Sequence, residues 1–220
     1  MLDDPRDGRT RGRQAEASAN DERILAAALN VLTANPRAPI AEVAAEAGVG
    51  VASLYRRFSG RDDLVRRLAL FAMAAIEQAA RDALARVDDD PWAAFIGFLV
   101  SAMEAGAGSM SAFAGTFRAG KELNDAGASL GRRIDELLAR TQEAGAVRPD
   151  LTGLDVLQLF EMLRAIRVGA HERSNRLRLR YIEMLTPALR APMSAPLTVR
   201  PPAWDEVLAV WNPRGRGRPR

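Results

Sequence analysis

The chain has 220 residues, enough for one large or two small domains, each with a hydrophobic core. At 48 % apolar and 27 % charged it has the balance of a soluble globular protein, and the absence of cysteine excludes disulfides and thiolate metal sites. The formal charge of +3 is too small to argue for nucleic acid by itself, so the placement of the basic residues carries more weight than their sum.

Residues 1–19 are polar, with Arg6, Arg9, Arg11 and Arg13 separated by small or acidic residues, and read as a disordered basic arm. The N-terminus lacks the apolar core of a signal peptide. The longest apolar stretch, near Ala93 to Met103, falls well short of the ~20 residues of a membrane span, so the expectation is a cytoplasmic protein with no membrane partner.

From Asn20 the pattern changes. Ile24, Leu25, Ala28, Leu29, Val31 and Leu32 recur at helical spacing, with Asn20 or Asp21 as the expected N-cap. "ANPRAP" stops this helix, because proline cannot continue it. "IAEVAAEAG" predicts a short second helix ending at Gly48, and "VGVASLYRRF" a third after a tight turn. "SGRDDLVRRLALFAMAAIEQAARDALARV" predicts a long fourth helix opening at Ser59, with Asp62 and Asp63 at its positive end.

Two short helices joined by a glycine-containing turn describe a helix-turn-helix. Val43, Ala47, Val49, Leu54 and Phe58 form an apolar stripe for a shared core. Ala52, Ser53, Arg56 and Arg57 then fall on the outer face of the third helix, where short polar and cationic side chains can reach base edges and phosphates.

Residues Arg23 to about Leu68, and above all "GVGVASLYRRFSGRDDLV", closely resemble the DNA-binding region of the TetR/AcrR family of one-component regulators. The resemblance implies a phosphate contact for Tyr55, and a second for Arg61, where the family usually has lysine. It places Ala52, Ser53 and Arg57 at the major groove, and leaves Arg56 either a base or a phosphate contact. A core role for Tyr55 and a solvated face for the arginine pair are the competing readings of the residues alone.

Further helices are predicted at 91–105, 109–119, 127–144, 152–171 and 174–189, with Thr152 and Asp155 spaced as a capping box. No strand alternation occurs, so the fold class is all-α. The resemblance implies a three-helix helix-turn-helix DNA-binding domain over 20–66 and a helical ligand-binding and dimerisation domain over 67–190. Residues 191–220 form a proline-rich linker, a short helix and a basic tail ending "PRGRGRPR". The tail reads as a solubilising end, with a minor-groove hook as the alternative.

The resemblance implies a homodimer through the helices near 152–171 and 174–189, and a small-molecule ligand of unknown identity. Trp92, Phe95, Phe98, Met103, Phe113, Phe117 and Phe160 are the candidate ligand-lining residues, although each also suits a plain core. His171 is the single histidine, expected near a helix C-terminus, and no metal, cofactor or nucleophile–histidine–acid set is legible. The function expected is a repressor that binds a palindromic operator and is released by its ligand. The alternative is a constitutive or architectural DNA-binding protein.

Overall fold

A computed structural model describes residues 5–109, 120–192, 195–203 and 206, with the side chains of 5–18 excepted. The described residues form eight α-helices and no strand: α1 (Pro5–Ala34), α2 (Ile40–Glu46), α3 (Val51–Arg57), α4 (Arg61–Leu84), α5 (Pro91–Glu104), α6 (Lys121–Glu143), α7 (Gly153–Arg164) and α8 (His171–Leu189). The chain divides into two compact units, Met1–Phe71 and Ala72–Arg220, and the division falls inside α4. The all-α class read from the sequence is the class observed.

Several boundaries move. α1 starts at Pro5, so the N-cap expected at Asn20 or Asp21 lies inside the helix, and most of the expected arm is helical backbone. Two things explain this. Proline suits a first helical position, and Asp21 is paired with Arg57 of α3. His171 opens α8 rather than ending a helix, because α7 stops at Arg164 and Gly169 (φ +66°) turns the chain first. Residues 110–119 of the helix expected over 109–119, Phe113 and Phe117 among them, most of the terminal helix expected near 203–211 and the arginine tail lie outside the described residues.

In the first unit Ile24, Ala28 and Leu32 of α1 meet Val43 and Ala44 of α2, Leu54 of α3, Phe58, and Leu64 and Leu68 of α4, all essentially without solvent contact. In the second unit the core joins Phe95, Phe98, Leu99 and Met103 of α5 to Ile134 and Leu137 of α6, Val156, Phe160 and Leu163 of α7, and Ile182 of α8.

Helix ends follow from local chemistry. The carboxylate of Asp90 accepts from the Ala93 N–H at 2.9 Å, with Pro91 in the first turn of α5. The Thr152–Asp155 capping box is complete: Asp155 accepts from the Thr152 N–H at 2.9 Å while the Thr152 hydroxyl accepts from the Asp155 N–H at 3.3 Å. α2, α5 and α6 each end in the same paired bonds, as in Val49 N–H to Ala44 C=O (2.9 Å) with Gly48 N–H to Ala45 C=O (3.1 Å), around a glycine at positive φ.

Gly108 is constrained further. It combines φ +74° with a backbone approach so close that a Cβ would lie 2.5 Å from the Phe160 carbonyl oxygen. Gly145 has a similar φ (+67°) but open space around it. Gly108→Ala is therefore expected to cost about 3 kcal/mol, strain plus displacement of α7, and Gly145→Ala about 1 kcal/mol from strain alone. Urea unfolding of the two variants measures the difference. Equal losses would remove the close approach as a constraint.

Candidate nucleic-acid interface

The helix-turn-helix is built from short elements that cannot stand alone, and each is tied to its neighbours. The turn after α2 needs the left-handed conformation of Gly48 (φ +66°). Arg23 of α1 donates to the carbonyl of Ala47 at 3.2 Å, fixing that turn against the first helix. The amides of Ser53 and Leu54 both bond the Gly50 carbonyl, which starts α3 directly after a four-residue connection. Leu54 and Phe58 anchor the inner side of α3 with 0 % and 1 % exposure.

With that side buried, the sequence-predicted residues separate by position. Ala52, Tyr55 and Arg56 are exposed together with Val51, and Tyr55 is 56 % accessible, so a core role for its ring is excluded. Ser53 is half-buried at the edge of this face. Arg57 is half-buried and turned to Asp21 of α1 in an ion pair that spans 36 residues of sequence.

Arg61 is also half-buried, and its guanidinium donates to the Ala38 carbonyl at 2.7 Å and to the Pro36 carbonyl. It staples the α1–α2 loop to the start of α4. Asp63, at the same end of α4, accepts from the Ser59 N–H at 3.0 Å, so Ser59 is a donor at this helix start. Burial raises the Asp63 carboxyl pKa. The Ser59 N–H and the charges of Arg67 and Arg66 outweigh that and hold it below its ordinary value.

Sequence reasoning missed Arg23, and it missed that Arg57 and Arg61 have intramolecular partners. A cation in a recognition helix reads the same whether it faces solvent or an acid 36 positions away. Only Asp21, a carboxylate with no local partner one turn before the apolar stripe, offered a signal.

In the C-terminal unit the described candidate ligand residues lie in the core or against it. Phe95, Phe98, Met103 and Phe160 are buried in the core, Phe98 and Phe160 edge to face with ring centres 6.0 Å apart. Trp92 is part-buried, tilted against Phe95 and covered by the Arg190 guanidinium 5.0 Å from its ring centre. A surface cavity of about 330 Å³ lies elsewhere, lined by Asp150, Asp155 and the segment Leu197 to Pro201.

That segment is held by the buried Arg148, whose guanidinium pairs with Asp150 through two bonds of 2.5 and 2.9 Å and donates to the Ala188 and Ala195 carbonyls. Asp150 in turn accepts from the Leu197 N–H at 2.8 Å. The bonds from Arg148 and from Leu197 hold the Asp150 carboxyl well below the usual carboxylate range. No group of metal-binding side chains occurs among the described residues, and none of their helices is long and apolar enough to cross a membrane.

Two family models match the chain. Residues 24–68 match bacterial regulatory proteins of the tetR family, and residues 89–191 match the C-terminal domain of SbtR-like transcriptional regulators. No curated protein matches. Among solved structures, the chain is similar to the TetR transcriptional regulator SCO0520 of Streptomyces coelicolor, at 22 % identity and a TM-score of 0.58, over 80 % of this chain and 99 % of that one.

It is similar also to a TetR regulatory protein of Mycobacterium vanbaalenii (25 %, TM-score 0.51, 81 % and 99 % covered). A third is the TetR-like regulator LfrR of Mycobacterium smegmatis, solved in complex with proflavine (22 %, TM-score 0.50, 82 % and 98 % covered). The helix-turn-helix of α2 and α3, the all-helical unit that follows it in the chain and the two family matches agree: the chain belongs to the TetR family of transcriptional regulators.

Proposed function

We propose that this regulator is a repressor that binds a palindromic operator as a homodimer and leaves it when a small molecule occupies the C-terminal unit. The observation that carries the reading is the outer face of α3. Ala52, Tyr55 and Arg56 stand exposed on a helix whose other side is locked into the core, the arrangement that direct readout of a major groove needs. Ser53 adds a hydroxyl at the edge of that face.

Dimerisation is supported by apolar side chains left in solvent on the last two helices. Met162 of α7 and Met184 of α8 are 65 % and 61 % exposed, and Tyr181, one turn before Met184, is exposed as well. Large apolar groups in water on consecutive helices mark an association surface. A two-fold dimer presents two copies of α3 to two half-sites. Release by ligand requires that the ligand bind the DNA-free arrangement better than the DNA-bound one. LfrR holds proflavine in its solved complex. A small-molecule effector is proposed for this chain by analogy with it.

Footprinting of the DNA flanking the gene with the full chain tests the reading. The expected result is a protected palindrome whose half-sites lie about 10 base pairs, or a multiple, apart. Equal affinity for random A·T-rich DNA would instead establish architectural binding.

A further inference from the structure

Arg164, at the end of α7, and Arg178, in α8, are 8 % and 3 % exposed, and neither forms an ion pair among the described residues. Among the described residues their acceptors are neutral. Arg164 donates through Nε to the Ser109 hydroxyl at 2.7 Å. Arg178 donates to the Ile166 carbonyl at 2.9 Å and to the Asn175 side-chain oxygen. The Nε of Arg178 is buried and has no acceptor among the described residues.

Arg178 sits close enough to disfavour the charge on Arg164. Arg164 is pushed down to about 10, by burial first and then by the charges of Arg178 and Arg167. Arg178 is lowered by burial and by Arg167. The nearest carboxylate along α7 does not answer them: Glu161 is pushed up by its own burial and takes a bond from Gln158. On α8, Glu172 is 4.0 Å from Arg176.

A buried charge costs several kcal/mol unless an opposite charge and hydrogen bonds accompany it. Two buried guanidiniums at the same helix junction, one with an N–H that no described acceptor takes, have the chemistry to hold an anion. A planar guanidinium suits a planar carboxylate, which can take two N–H bonds at once. The neighbours on the buried side of α7, Phe160 one turn earlier and Leu163, are apolar. An acid that fits beside them has an apolar body.

We propose that Arg164 and Arg178 bind the carboxylate of a small apolar organic acid, and that this acid is the effector. The identification of the acid as effector rests on the regulator reading above. The binding site itself does not.

The test uses the full chain in thermal unfolding and titration calorimetry. The probes are hexanoate, decanoate and benzoate, their uncharged amides, and inorganic phosphate. The acids are expected to raise the melting temperature by about 3 °C or more at saturating concentration, with no shift from the amides. Arg164→Met with Arg178→Met keeps the bulk, removes both charges and should weaken acid binding at least tenfold. Arg178→Lys, which keeps a charge but loses the planar fork, should weaken it several-fold and guards against a double variant that fails to fold.

Equal shifts from acids and amides, a shift from phosphate alone, or no shift from any probe would overturn the proposal and leave the arginines as a staple of the α7–α8 junction. Operator binding by the ligand-free chain is measured beside it. DNA binding without acid binding sinks this proposal only, whereas acid binding without DNA binding sinks the regulator reading, and the effector role with it, and leaves the binding site standing.

Discussion

Phe160→Ala is expected to lower the unfolding free energy by about 4 kcal/mol, a fall of about 12 °C in melting temperature for a chain of this length. The ring is wholly buried, packs edge to face on Phe98 and lies where the Gly108 backbone presses against α7. Its removal costs the transfer of the ring from solvent, the aromatic pairing of roughly 1 kcal/mol and a cavity that a helix pinned by Gly108 cannot close. The measurement also decides between two uses of one residue type. If Phe160 lined an open ligand site, truncation would cost less than about 1.5 kcal/mol and would alter the response to ligand instead. A loss near the larger figure makes the ring structural.

That ambiguity shows why the two units were unequally legible. The DNA-binding unit announces itself through residues whose chemistry admits few alternatives. Gly48 is needed for a left-handed turn, Leu54 and Phe58 have the spacing of one buried helix side, and Tyr55 and Arg56 fall opposite them. Periodicity and turn chemistry act locally, so sequence records them.

The C-terminal unit depends on which apolar residues meet which, and Phe95, Phe98 and Met103 read alike as core or as cavity lining. The boundary of α1 was illegible for a similar reason. Asp21 looks like a cap until Arg57, far along the chain, takes its carboxylate. Arg164 and Arg178 were passed over because arginine on an amphipathic helix is ordinarily solvated. Only the fold shows that Ser109 and Ile166 enclose them.

Arg56→Ala and Arg61→Ala, at residues of the same charge within one short motif, are expected to act through different routes. Arg56 is exposed, so its loss should leave the melting temperature within about 1 °C while weakening operator binding about tenfold, or ~1.4 kcal/mol. The salt dependence should flatten by about one unit per lost phosphate contact, and sequence preference should survive if phosphate is what Arg56 touches.

Tyr55→Phe separates the hydroxyl from the ring in the same assay, with a loss comparable to Arg56→Ala if the hydroxyl contacts phosphate. Arg61 instead holds the Ala38 and Pro36 carbonyls. Arg61→Ala removes two charged hydrogen bonds and should destabilise the DNA-binding unit by about 2 kcal/mol, weakening DNA binding by releasing the α1–α2 loop.

Arg61→Lys makes the distinction sharp, because lysine restores the charge but cannot span both carbonyls with a planar fork. Operator affinity recovered by lysine without recovered stability would assign Arg61 to phosphate. Stability and affinity falling together would assign it to the scaffold that aims α3.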